Sequence, residues 1–168
     1  MKLFALVLCV AALSAPSFAG KIKALAKRNI SGRIIGGQDV NVGQFPSAAA
    51  IYVFTFTGVY FCGGSLISQQ WVLTAAHCIA GGEVFVIMLG SNTIVGIDPN
   101  RKLLSTTTYV NHPDFNPHTL ENDVGLVKFR RPIEYNDYIQ PVYLPTMPTI
   151  DNVATTAIGW GQTSDGSC

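Results

Sequence analysis

Residues 74–78, Thr-Ala-Ala-His-Cys, contain the side chain best suited to proton transfer. They follow a short apolar run at residues 71–73, Trp-Val-Leu, which predicts that His77 lies at the end of a strand. An imidazole held at such a position can take and return a proton near neutral pH. An isolated histidine is more often a structural residue, so the function of His77 must be judged from its neighbours.

The cysteines favour a disulfide beside this histidine. Cys62 lies upstream in Phe-Cys-Gly-Gly-Ser and is the natural partner of Cys78. A disulfide closing this short loop contributes about 3 kcal/mol in the loop-entropy estimate. A zinc site built from Cys62, His77 and Cys78 is the alternative. Adjacent His and Cys ligands suit metal geometry poorly, however, and no Cys-x-x-Cys pair is present. We therefore predict no metal and no cofactor.

The first 19 residues are typical of a secretory signal peptide. Lys2 supplies the positive charge, residues 3–13 the apolar stretch, and Ser-Phe-Ala at 17–19 a cleavage site with small residues. A membrane anchor is the alternative, but the apolar run is short for a span and no second one follows. We expect a secreted, extracellular protein with no membrane partner, in an environment where cysteines pair.

Charge is divided between a basic leader and an acidic body. Residues 20–33 carry five basic side chains and no acid, whereas residues 34–168 carry five basic side chains against ten acids. The basic residues of the body form no long patch. This distribution predicts that nucleic acid is not a partner.

The elements that must position His77 are predicted to be strands. From residue 44 onward, short runs rich in β-branched and aromatic residues alternate with turn residues, which favours a β-sandwich or a β-barrel. A helical turn is predicted only at Ala75–Ile79. The predicted strands are Ser47–Thr57, Val59–Ile67, Gln70–Leu73, Glu83–Leu89, Thr93–Ile97 and Leu103–Val110.

Four strings occur in a fixed order along the chain: Arg-Ile-Ile-Gly-Gly from Arg33, Cys-Gly-Gly-Ser from Cys62, Ala-Ala-His-Cys around His77, and Asn-Asp ending at Asp123 before an apolar strand. Together they resemble the chymotrypsin-like serine proteases of the trypsin family. Gly-Trp-Gly at residues 159–161 matches another signature of that family, and the residues after it resemble arthropod digestive members. The resemblance covers about Arg33 to Gly161.

The resemblance implies an all-β fold in which this chain supplies the first antiparallel β-barrel of a two-barrel protease and begins the second. It also implies that His77 is the general base and that Asp123 orients it. The family has Asn-Asp-Ile-Ala-Leu at this place, so Val124 and Gly125 are departures. A glycine weakens a strand, but it leaves the carboxylate in place.

The same resemblance implies a zymogen. Cleavage after Arg33 by a trypsin-like protease would free an amino terminus at Ile34, which can pair with a buried carboxylate and reorganise a site. The expected organisation is a signal peptide at 1–19, an activation propeptide at 20–33, the first barrel and connector at 34–145, and a truncated second barrel at 146–168.

The nucleophile of the family lies in Gly-Asp-Ser-Gly-Gly, and this string is absent from the 168 residues. None of Ser65, Ser164 and Ser167 carries the motif, so none is assigned the role. Residues 34–168 number 135, whereas enzymes of this architecture need about 200–250. We expect a fragment or a truncated isoform, inactive alone, with Cys168 unpaired.

Two functions follow from these patterns. The first is a secreted serine endopeptidase zymogen that cuts protein or peptide substrates in its full-length form. The alternative is a non-catalytic homologue that acts as a secreted binding module. Retention of both His77 and Asp123 favours the enzyme, because a binding module has no chemical need for the pair. His112 and His118 lie in a proline-containing loop and are predicted to be structural or solvent-facing.

Overall fold

The structure is a computed structural model, and it describes residues 37–146 and 154–161. The predicted signal peptide and propeptide, with the Arg33–Ile34 bond, lie outside those residues. The elements are β1 (Ala48–Thr55), β2 (Gly58–Leu66), β3 (Trp71–Thr74), α1 (Ala76–Ile79), β4 (Val84–Leu89), β5 (Lys102–Thr106), β6 (Thr108–Asn111) and β7 (Gly125–Lys128). Within the described part of the chain, no helix is long and apolar enough to cross a membrane.

The strands form one antiparallel sheet in the order β5-β4-β1-β2-β3-β7-β6. β5 and β6 are at opposite ends of this order, yet only Thr107 separates them in the chain. The two edges of the sheet must therefore meet, and the Thr106 hydroxyl donates to the Lys128 carbonyl at 2.7 Å across the junction. The sheet curls into a barrel, which confirms the predicted all-β, antiparallel barrel fold.

The core lies inside this barrel. Alternate residues of β1 and β4 point inward because successive side chains of a strand face opposite sides of the sheet. Fully burying an aliphatic or aromatic side chain of this size stabilises a fold by about 1.5–3 kcal/mol. The inward residues of these two strands are Ala49, Ile51, Val53, Phe85, Ile87 and Leu89, all 1% exposed or less.

One predicted strand is wrong. Thr93–Ile97 has the composition of a strand, but it forms a loop in which no residue pairs with the sheet. Arg101 explains the difference, because its guanidinium donates to the carbonyls of Thr93 at 2.7 Å and Gly96 at 2.8 Å. Gly96 has a φ of 76°, which bends the chain around the guanidinium. The apolar side chain of Ile97 is left fully exposed.

Two other boundaries also differ from the sequence predictions. The single strand predicted at Leu103–Val110 is two strands, β5 and β6, because the chain turns from one sheet edge to the other at Thr107. Residues 154–158, which belong to the predicted start of the second barrel at 146–168, form no strand. The predicted connector runs along the barrel, where Val142 N–H donates to the Leu66 carbonyl at 2.8 Å.

Candidate active site

Two neighbouring strands bring the sequence-predicted residues to one end of the barrel. β3 pairs with β7, and Thr74 at the end of β3 lies opposite Gly125 at the start of β7. The chain passes from β3 through Ala75 into α1, which carries His77, while Asp123 comes two residues before β7. His77 and Asp123 are 46 positions apart in sequence, and this pairing places them side by side.

The Asp123 carboxylate contacts His77 through both of its oxygens. The His77 backbone N–H donates to Oδ1 at 2.8 Å, and Nδ1 of the ring lies 2.6 Å from Oδ2. A carboxylate only accepts hydrogen bonds, so the ring carries a proton on Nδ1 and directs Nε2 away from Asp123. The His77 side chain is 52% exposed and the Asp123 side chain 21%. The ring is therefore held in one orientation while Nε2 remains accessible.

These contacts lower the pKa of Asp123 below its ordinary value. The largest cause is the hydrogen bond from the His77 ring, and the second is the His77 backbone N–H. Burial opposes them but has a smaller effect. The carboxylate therefore stays ionised at neutral pH, which is the state that accepts both hydrogen bonds and stabilises positive charge on the imidazole.

Asn122 sets the turn that presents Asp123. Its φ of 56° lies in the left-handed region, which asparagine tolerates better than most residues. Its side-chain amide donates to the Asp114 carbonyl at 3.0 Å, and its own carbonyl accepts the Val124 N–H at 2.8 Å. This role was not predicted from the sequence, although an asparagine directly before the aspartate was a signal for a tight turn.

A disulfide joins Cys62 on β2 to Cys78 on α1 and ties the helix to the barrel. Nε2 of His77 lies 3.5 Å from Cys78 Sγ, so the imidazole sits beside this bond. Cys62, His77 and Cys78 present ligand atoms within 4.8 Å of one another. The two sulfurs are bonded to each other, however, and a disulfide offers no thiolate to a metal ion. In this oxidised form the three residues do not make a zinc site.

The other two histidines are exposed and belong to the loop that precedes β7. His112 Nδ1 accepts the Asp114 N–H at 3.1 Å, and the His118 N–H donates to Asn116 Oδ1 at 2.9 Å. Among the residues that the structure describes, no hydrogen bond joins either of them to His77 or Asp123.

A cavity of about 380 Å³ lies elsewhere, between residues 37–48, residues 90–92 and residues 156–161. Trp160 lines it and donates from its indole N–H to the Asn92 carbonyl at 3.1 Å. Neither His77 nor Asp123 lines this cavity. This cavity could not be predicted from the sequence, because its walls come from segments that are far apart in the chain and have no common pattern.

An antiparallel barrel that carries a hydrogen-bonded Asp–His pair is also found in the chymotrypsin-like serine proteases, where the pair activates a serine. The comparisons agree with this assignment. The Trypsin family model matches residues 34–167, and the chain belongs to the trypsin family.

Similar curated proteins include Trypsin-2 of Salmo salar, with 31% identity over 78% of this chain and 54% of the relative. Brachyurin of Leptuca pugilator is 31% identical over 80% of this chain and 58% of its own length. Collagenase of Hypoderma lineatum is 36% identical over 79% of this chain and 52% of its own length. The chain thus spans about half the length of these relatives.

The solved structure of HL collagenase is similar to this fold, with a TM-score of 0.61 and 37% sequence identity. The match covers 68% of this chain and 48% of the collagenase chain. The likeness therefore supports the same barrel architecture for the part of the protein described above.

Proposed function

We propose that this chain provides the base and its orienting carboxylate for a secreted serine endopeptidase made as a zymogen. His77 is the general base and Asp123 is the residue that orients it. The observation that supports this proposal best is the double contact at 2.8 and 2.6 Å between the Asp123 carboxylate and His77. That contact fixes the tautomer and the direction of the ring together.

The chemistry follows from this geometry. A serine hydroxyl is a weak nucleophile at neutral pH and needs a base within hydrogen-bond reach. Nε2 of His77 takes the hydroxyl proton as the oxygen attacks the peptide carbonyl, and then gives it to the leaving amine. Asp123 keeps its hydrogen bond to Nδ1 throughout and stabilises the imidazolium that forms. Water then hydrolyses the acyl intermediate by the same route.

The proposal assigns no nucleophile. The 168 residues contain no Gly-Asp-Ser-Gly-Gly string, and none of Ser65, Ser164 and Ser167 is given the role. The zymogen part of the proposal rests on the Arg33-Ile34-Ile35-Gly36-Gly37 sequence, and secretion rests on the signal-peptide pattern of residues 1–19. The substrate class is protein or peptide, which is in keeping with relatives named trypsin, brachyurin and collagenase.

The test is a kinetic comparison on the protein expressed from its complete coding sequence and cleaved after Arg33. We expect hydrolysis of a peptide substrate, and a fall in kcat/KM of at least about 10⁴-fold for His77→Ala and about 10⁴-fold for Asp123→Asn. His118→Ala is the matched control, because that histidine is exposed and, among the described residues, only its backbone N–H makes a hydrogen bond, which alanine keeps. It should keep the parental rate.

Two results would contradict the proposal. One is the absence of any hydrolysis by the correctly processed protein, which would favour the secreted binding module. The other is hydrolysis that survives His77→Ala unchanged, which would place the base elsewhere.

A further inference from the structure

The position of His77 depends on how α1 packs against the barrel, because so short a helix is not stable by itself. α1 has four residues, no side-chain cap at Ala75, and one closing hydrogen bond from Ala80 N–H to the Ala76 carbonyl at 2.8 Å. One turn of helix is unstable in isolation, because nucleation fixes several residues for a single hydrogen bond. Packing against the barrel must therefore determine where α1 lies.

Ala76 and Ile79 are the two buried residues of α1, and both are completely buried. Both lie against Gly125, the buried first residue of β7. A Cβ atom added at Gly125 would lie 2.5 Å from Ile79 Cδ1, 3.1 Å from Ile79 Cγ1 and 3.2 Å from the Ala76 Cα. The backbone of Gly125 has no positive φ, so the position requires a glycine for space and not for conformation.

Gly125 also lies only two residues after Asp123 in the chain. It pairs with Thr74 on one side and with Asn111 on the other, so two neighbouring strands fix its place. The surface on which α1 rests and the carboxylate that binds His77 thus belong to one short segment. A change in the depth of α1 at Gly125 must alter the distance from His77 to Asp123, since the carboxylate does not move with the helix.

We propose that Gly125 and Ile79 are a size-matched pair of positioning residues that sets the depth of α1 and thereby aligns His77 with Asp123. The inference rests on the function proposed above, in which that alignment matters for proton transfer. It also explains the departure at Gly125 noted in the sequence: the room left by the missing methyl group is filled by the Cδ1 of Ile79.

The experiment is a double-mutant cycle on the 168-residue chain, with Gly125→Ala, Ile79→Val and the two together. Ile79→Val removes Cδ1, which is the atom nearest to the added methyl group. The readout is the titration of the Asp123 carboxyl carbon by NMR, because the lowered pKa of that group depends first on the His77 ring. Gly63→Ala is the matched control, since an added Cβ there meets nothing within 4 Å.

We expect Gly125→Ala to move the Asp123 midpoint upward toward its ordinary value, and the double variant to return it toward that of the parent chain. Gly63→Ala should leave the midpoint in place. If Gly125→Ala does not fold, a double variant that folds with the parental midpoint gives the same support.

A Gly125→Ala chain with the parental midpoint would overturn the proposal, and so would a double variant that fails to restore it. Because the titration needs no peptide hydrolysis, these results are independent of whether the protein is a protease. If the protein were not a protease, Gly125 and Ile79 would have no role in catalysis, but they would still determine the position of α1.

Discussion

At the scale of single residues, the Asp123 carboxylate binds His77 with both of its oxygens. These contacts make the stability of the fold depend on pH. The folded-state pKa of Asp123 lies below its ordinary value of 3.8, because His77 donates to the charged form. A group with a lowered folded pKa stabilises the fold fully above its unfolded pKa and loses that contribution as the pH falls through the folded pKa.

Asp123→Asn should therefore lower the unfolding midpoint at pH 7, since an amide accepts hydrogen bonds without the charge. The difference from the parent chain should shrink as the pH falls below 3.8. Denaturant titrations from pH 2 to pH 7 measure this directly. Asp137→Asn is the control, because Asp137 is exposed and its side chain makes no hydrogen bond within residues 37–146 and 154–161. A difference that stayed constant down to pH 2 would contradict the assignment.

At this scale the sequence predicted His77 and Asp123 as the central pair, but it did not predict the contacts that orient them. His77 and Asp123 could be predicted because their neighbours form recognisable strings. The contact of the Asn122 side chain with the Asp114 carbonyl and the space at Gly125 that Ile79 fills could not, because each depends on how the folded chain packs and not on neighbouring residues. Such contacts leave no periodic trace in the sequence.

At the scale of elements, the loop between β4 and β5 is organised around one cation. The Arg101 guanidinium donates to the carbonyls of Thr93 and Gly96, and it also lies 3.5 Å from Ser91 Oγ. Ser91 in turn donates to Asp98 Oδ2 at 2.6 Å. The pKa of Asp98 is lowered first by this hydrogen bond, and Arg101 adds to the effect. Charged hydrogen bonds thus replace strand pairing in this segment.

Arg101→Met should loosen this loop and leave the barrel intact, because methionine keeps an unbranched stem and loses all the donors. Hydrogen bonds to charged groups contribute about 1.5–3 kcal/mol each in favourable settings. We expect amide exchange in residues 91–98 to become about tenfold faster, since about 1.4 kcal/mol corresponds to a factor of ten. Exchange in β1 should not change.

Arg131→Met gives the comparison for this experiment, because Arg131 is exposed and lies beyond β7. Unchanged exchange in the loop of the Arg101 variant would show that the guanidinium does not hold the loop.

The wrong strand prediction at Thr93–Ile97 is also explained by the contacts of Arg101. Strand propensity describes how well a segment fits a sheet, and here the carbonyls were already bound by Arg101.

At the scale of the whole molecule, the pair depends on the long-range pairing of β3 with β7 in the sheet. β3 and β7 are neighbours although 50 residues, 75–124, lie between them in the chain, and the β5–β6 turn at Thr107 brings the sheet edges together. Short strands and turns predicted a β-sandwich or a β-barrel, and the family resemblance selected the barrel. The strand order could not be predicted, since it is determined by which inward faces pack best. The disulfide between Cys62 and Cys78 then ties α1 to this closed sheet.

The most direct test of this account is a nitrogen-15 NMR measurement of the His77 ring in the chain as denaturant is added. We predict that in the folded state the proton is on Nδ1, that Asp123→Asn changes the Nδ1 signal, and that the folded signal disappears together with the barrel signals. A folded chain with the proton on Nε2 alone, or an Nδ1 signal that does not change in Asp123→Asn, would contradict the claim that the folded barrel aligns His77 with Asp123.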